Sequence, residues 1–184
     1  MTLAPGTYAF GPADATLTVH TRKGGAAAKA GHDLTIEVTD WSATLTLADD
    51  PAASALELTA DANSLTVREG HGGMMALGDE ETASIEQSMR DEVLKGTPIA
   101  YRSSRVAANG DDTLHVDGEL ELNGRRAPVA FDLSVADGRL RGAATVTQTA
   151  FGMKPYSALF GTLKVLDDVR VEVDAALPQG DTDG

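Results

Sequence analysis

Val116-Asp117-Gly118-Glu119-Leu120-Glu121-Leu122-Asn123-Gly124-Arg125-Arg126-Ala127-Pro128-Val129-Ala130-Phe131-Asp132-Leu133-Ser134-Val135 is the stretch whose pattern settles the fold class. Leu114, Val116, Leu120 and Leu122 recur every second or fourth residue, and Val129, Phe131, Leu133 and Val135 do the same on the far side of Asn123-Gly124. Side chains alternate across a strand, so each run presents one apolar and one wet face. Asn-Gly supplies the positive φ angles of a two-residue type I′ turn, which makes the stretch an antiparallel hairpin.

The same period extends in both directions. Leu17 and Val19 alternate with Thr18 and His20; Leu34, Ile36 and Val38 with Thr35 and Glu37; Trp41, Ala43, Leu45 and Leu47 with serine and threonines. Leu56 and Leu58, then Leu140, Gly142, Ala144 and Val146, and finally Val169, Val171 and Val173 complete the series. Asp137-Gly138 repeats the turn device. The pattern predicts an all-β chain of about eight strands in an antiparallel meander, which covers its apolar face by sandwiching or by closing into a barrel. Closure would also remove exposed edges.

One segment departs from period two. Over residues 79–95, Ile85, Met89 and Val93 fall at intervals of four among charged residues, with Asp79, Glu80 and Glu81 at the start and Gly96 and Pro98 at the end. This predicts one helix whose N-terminal dipole is matched by acids. A glycine-rich loop, Gly70-His71-Gly72-Gly73-Met74-Met75, precedes it. The expected organisation is a single domain over residues 1–177 and a polar C-terminal tail over 178–184.

The chain has 184 residues, with 15 Lys+Arg against 28 Asp+Glu and a net charge of -13. That balance offers no general basic face for nucleic acid, which needs one to displace counterions, nor for anionic headgroups. Aromatic residues make up only 4% of the chain. The interior is therefore built from Ala, Val and Leu, and a barrel of about eight strands filled this way has room for one small ligand. There are no cysteines. The N-terminus lacks a signal peptide, and no apolar run reaches the ~20 residues that span a bilayer, so the expectation is a cytoplasmic protein without stable membrane insertion.

Few residues suggest chemistry. His20, His32, His71 and His115 include no close ligand pair, so no metal site is expected. In Gly31-His32-Asp33-Leu34 the acid follows the histidine directly, and adjacent strand residues point to opposite faces. Asp33 is thus poorly placed to orient His32. No Gly-x-Ser-x-Gly or P-loop is present, and the paired carboxylates fall at turns or the helix start. The alternatives are a hydrolase or isomerase using His20 or His32 with an acidic partner, and a stress-related module that binds protein through an exposed apolar patch.

Three stretches resemble the YceI-like family of lipid-binding, lipocalin-like barrels. Residues 116–129 are similar to its Val-x-Gly-x-Leu-x-Leu-x-Gly and Pro-Val signature. Thr147-Gln148-Thr149-Ala150-Phe151-Gly152-Met153 and the later Leu163-Lys164-Val165 with Asp167-Asp168-Val169 are similar to its C-terminal element. The opening Gly6-Thr7-Tyr8 and the strand of His32 follow in the family's order, while Asp14-Ala15-Thr16 replaces its Asp-x-x-His-Ser. The resemblance implies an extended barrel, helix near its mouth, holding a polyisoprenoid, quinone or other long-chain amphiphile in an apolar channel. No cofactor is implied beyond that bound lipid, and a homodimer is compatible with it. On this reading Leu17, Val19, Leu34, Ile36, Phe131 and Leu133 line the channel. Ile85, Met89, Phe151 and Met153 stand near the entrance beside the adaptable Met74 and Met75, and His32 or Tyr101 meets the polar end.

Overall fold

The computed structural model describes residues 3–178. Beyond Pro178, the expected polar tail lies outside the described residues. In chain order the strands are β1 (Gly6–Phe10), β2 (Ala15–Thr21), β3 (Lys23–Gly24), β4 (Asp33–Val38), β5 (Trp41–Leu47), β6 (Ala55–Ala60) and β7 (Leu65–His71). The helix α1 (Asp79–Ser88) follows and continues as a π-helical segment, Met89–Leu94. Then come β8 (Ile99–Ala108), β9 (Thr113–Leu122), β10 (Arg125–Ala136), β11 (Arg139–Thr147), β12 (Ser157–Ala158), β13 (Leu163–Val165) and β14 (Asp168–Ala176).

Eleven strands form one antiparallel sheet in the order β1-β5-β6-β8-β9-β10-β11-β14-β2-β4-β7, and β12-β13-β3 form a small second sheet. The large sheet is curled. Residues from β1, β2, β5, β8, β10 and β14, which are spread along its width, share one buried cluster that includes Phe10, Leu17, Leu45, Val106, Leu133 and Ala175. Its two edge strands are not hydrogen-bonded to each other, so among the described residues the barrel is open along one seam.

The central hairpin is as its sequence dictates. Leu122 pairs with Arg125 around Asn123 and Gly124, whose φ angles are 53° and 71°, and Asp137 and Gly138 adopt 52° and 71°. Gly118 answers a different need. Tyr101 of β8 lies across β9 to donate its hydroxyl to the Val129 carbonyl (3.0 Å), and a Cβ on Gly118 would meet that hydroxyl oxygen at 2.5 Å. The glycine of the signature is thus the gap through which two non-adjacent strands are tied.

There are more strands than the alternation predicts, for a physical reason. In β8 the pairing slips between Ser103 and Arg105, moving the inward positions from Tyr101 to Val106. In β7 it slips opposite Thr35 and Ile36, leaving Arg68 unpaired. A bulge breaks period two at the very residues by which a strand is recognised. The helix lies over this second strand: Glu86 accepts a hydrogen bond from the Val67 amide (2.8 Å), and Ile85 and Met89 pack on Leu34, Ile36 and Val67. An otherwise open edge is covered in this way. No described helix is long and apolar enough to cross a membrane.

Candidate functional site

The interior divides along its length. Towards the end marked by Ala15, Val106 and Val135, side chains pack against one another and do not border the cavity. Towards the other end the inward positions are too small to meet, and a cavity of about 670 Å³ opens. Phe10, Leu17, Val19, Leu34, Ile36 and Trp41 form part of one wall; Tyr101, Phe131, Leu133, Ala144, Val171 and Val173 form part of another. That size lies within the usual range of roughly 300–1,000 Å³ for a pocket taking one small molecule. From Leu17 to Lys23 the cavity runs about 20 Å along the strand direction.

Most polar side chains of the lining gather where the cavity meets its mouth, among them Lys23, His32, Glu81, Ser84, Ser88, Gln148 and Lys164, while Thr21 and Trp41 add a buried hydroxyl and a buried indole N–H to the wall. His32 is held there by three elements. It stands immediately before β4, its Nε2 donates to the Met75 carbonyl (2.8 Å), and its Nδ1 lies 4.0 Å from Glu81 of α1. The backbone at Gly73 is so close to the ring that no side chain fits there. Asp33 points the other way and accepts a hydrogen bond from the Lys23 amide (2.8 Å), while Lys23 Nζ donates to the Gly31 carbonyl (2.8 Å).

Most of the residues singled out from sequence converge on this cavity: Leu17, Val19, His32, Leu34, Ile36, Ile85, Met89, Tyr101, Phe131, Leu133 and Met153. Three do not. Met74 and Met75 are exposed and do not line it, although their loop is fixed to His32 through the Met75 carbonyl. Phe151 is shut into a separate cluster with Ala62, Leu94, Leu122 and Val146. Tyr101 lines the wall, but its hydroxyl is committed to Val129; burial, and then the negative charge of Asp117, push it up to about 12.

Sequence reasoning missed the third part of the mouth. Tyr156, Ala158, Leu159, Leu163 and Val165, from the small sheet and its connecting turn, complete the rim. Strands of two or three residues carry no readable period. In the turn that joins them the sequence offers only Gly161 as a sign, yet the backbone of Leu159-Phe160-Gly161 is left-handed throughout (φ 51°, 57° and 84°). For residues with a Cβ that conformation costs about 1–2 kcal/mol each.

The remaining histidines lie outside the cavity. His20 is on the outer face, 3.2 Å from Glu172 and within reach of Thr18 and Thr35, and His71 pairs with Glu69 (2.8 Å). Of the two histidines that the hydrolase or isomerase reading names, His20 lies outside the cavity, whereas His32 lines it together with Glu81, whose Oε1 is 4.0 Å from the His32 Nδ1. Among the described residues, no group of three or more histidines and carboxylates is placed to hold a metal.

His115 sits between two carboxylates, with Nδ1 2.7 Å from Asp132 and Nε2 3.3 Å from Asp117. The hydrogen bond to Asp132 is the main cause that raises its pKa above the ordinary 6.5. A raised folded-state pKa means stabilisation that is complete below the unfolded value and lost as pH rises through the folded one. Urea midpoints of His115→Gln and the parent are therefore expected to differ most at about pH 5.5 and to converge in alkaline buffer. A gap that widens with pH would contradict this assignment.

Comparison with known proteins agrees with the fold. The YceI-like domain model matches residues 8–177. BcnA of Burkholderia cenocepacia superposes with a TM-score of 0.61 at 16% identity, over 87% of this chain and 94% of BcnA. The YceI protein of Campylobacter jejuni superposes with a TM-score of 0.51 at 14% identity, over 78% of this chain and 85% of that one. No curated protein sequence matches the chain.

Proposed function

Because the chain belongs to the YceI-like family, a lipid-binding barrel fold, we propose that it sequesters or carries one long-chain amphiphile of the polyprenyl or quinone type, without chemical conversion. The observation that carries this reading is the cavity itself: about 670 Å³, walled mostly by Leu, Val, Ala and Phe, with its charged groups among the residues of the mouth. An elongated apolar tail gains roughly 0.8 kcal/mol for each methylene taken from water into such a space. A preformed cavity also reduces the ordering cost of binding. The tail would lie between β2 and β10, and the polar end would meet His32, Lys23 or Gln148 at the mouth.

Organic extraction of the purified protein, followed by lipid analysis, tests the proposal. The expected result is a single class of long-chain lipid in near-stoichiometric amount; an extract with no lipid above background would count against it. Ile85 supplies a local check, since it lies on α1, half-buried over the mouth. In Ile85→Asp a charge faces the tail, and loading per folded molecule is expected to fall about tenfold; the thermal midpoint falls as well, because Ile85 packs on Leu34, Ile36 and Val67. Equal loading in variant and parent would remove α1 from the site.

A further inference from the structure

The large apolar side chains that are exposed among the described residues are Met74, Met75, Tyr156, Leu159, Phe160 and Leu166. Tyr156 and Leu159 line the mouth, and the turn that carries Phe160 stands beside them. Phe160 is the extreme case, with a relative exposure of 109%. It is not a loose end. Thr162 Oγ1 donates to the Leu159 carbonyl (2.6 Å), the Ala27 amide to the Thr162 carbonyl (2.8 Å), and the Val165 amide to the Tyr156 carbonyl (2.9 Å). The ridge is thus built to hold a phenyl ring out in water on a left-handed backbone. Exposed apolar surface held in this manner marks an interaction site.

The charge around the ridge identifies the partner. Residues 15–32 and 148–166, joined through the small sheet, contain Arg22, Lys23, Lys29, Lys154 and Lys164 and none of the chain's 28 acidic residues. Lys29, Lys154 and Lys164 are exposed, whereas Arg22 shares an outer groove with Asp33, Asp167, Asp168 and Glu172. The loop of Met74 and Met75 adjoins this bank of the mouth through the His32 contact to Met75 and then runs into Asp79, Glu80 and Glu81. The net charge of -13 therefore hides a local reversal of sign. Salt screens charges within about 8 Å at physiological ionic strength, so an approaching surface feels this bank rather than the acidic remainder.

We propose that the ridge of Tyr156, Leu159 and Phe160, with its surrounding lysines, docks the open end of the barrel onto an anionic lipid bilayer. Aromatic and aliphatic side chains enter the interface while the lysines meet the headgroups. Given the lipid-carrying reading above, this orientation points the cavity at the membrane from which a tail would enter. Docking itself requires no cargo.

Sedimentation of the delipidated full chain with vesicles tests it. The chain is expected to pellet with mixed phosphatidylcholine–phosphatidylglycerol vesicles, to stay in solution with phosphatidylcholine alone, and to be released by added salt. Phe160→Asp, and separately Lys154→Glu with Lys164→Glu, should each lower the bound fraction about tenfold. Met74→Ser with Met75→Ser should leave it unchanged. The proposal is overturned by an absence of vesicle binding, by parent-like binding of Phe160→Asp, or by an equal loss in the methionine variant. A dimer that dissolves in Phe160→Asp without any vesicle binding would assign the ridge to a second copy of the chain. Since no cargo is present, failure here leaves the lipid extraction result standing, and failure there leaves this one.

Discussion

Ala144→Trp is expected to abolish loading of the cavity and to leave the chain folded. Ala144 lies on β11 opposite Val171, and both line the cavity on the same stretch of wall as Phe131. An indole there projects into empty space rather than into packed side chains. A tryptophan covers roughly 150–250 Å² of apolar surface, enough to occupy much of a site intended for a tail. Bound lipid is expected to fall at least about tenfold, which corresponds to 1.4 kcal/mol or more of lost affinity. The thermal midpoint of the lipid-free protein should hold or rise, since filling a cavity adds contacts. Undiminished loading would mean that the tail lies elsewhere.

Leu45→Ala is expected to do the reverse. Leu45 is completely buried, packed in the filled end of the barrel, and is not part of the cavity wall. Truncating such a leucine leaves a void and costs about 2–5 kcal/mol. For a domain of this size that lowers the melting temperature by roughly 4–20 °C. Loading per folded molecule should be unchanged, as measured by extraction of protein that has been purified at low temperature. The pair of variants separates two regions that alternation alone cannot distinguish: Leu45 and Ala144 are both small or medium apolar residues on inward faces, yet one supports the fold and the other borders a vacancy.

That contrast shows how far the sequence could be read. Period-two runs and the Asn123-Gly124 and Asp137-Gly138 turns specify which faces point inward, and Leu17, Val19, Leu34, Ile36, Phe131 and Leu133 accordingly stand on the cavity wall. The scarcity of aromatics was the legible sign of the space between them. β7 and β8 were hidden by their bulges, and β3, β12 and β13 by their brevity. Met74 and Phe151 do not line the cavity, for a common reason. Whether a loop residue turns in or out depends on distant backbone partners, here the His32 contact to Met75 and the hydrogen bond from Asn123 to the Phe151 carbonyl (3.3 Å). Neither partner is adjacent in the chain. The sign of the charge at the mouth is a similar matter, because the acid-free segments 15–32 and 148–166 become one surface only through β3 and β13.

Native mass spectrometry of the delipidated chain incubated with a polyprenyl alcohol tests the central claim most directly. One alcohol per chain is predicted for the parent and for Leu45→Ala, and none for Ala144→Trp. A parent that takes up no alcohol, or an Ala144→Trp chain that takes up as much as the parent, would contradict it.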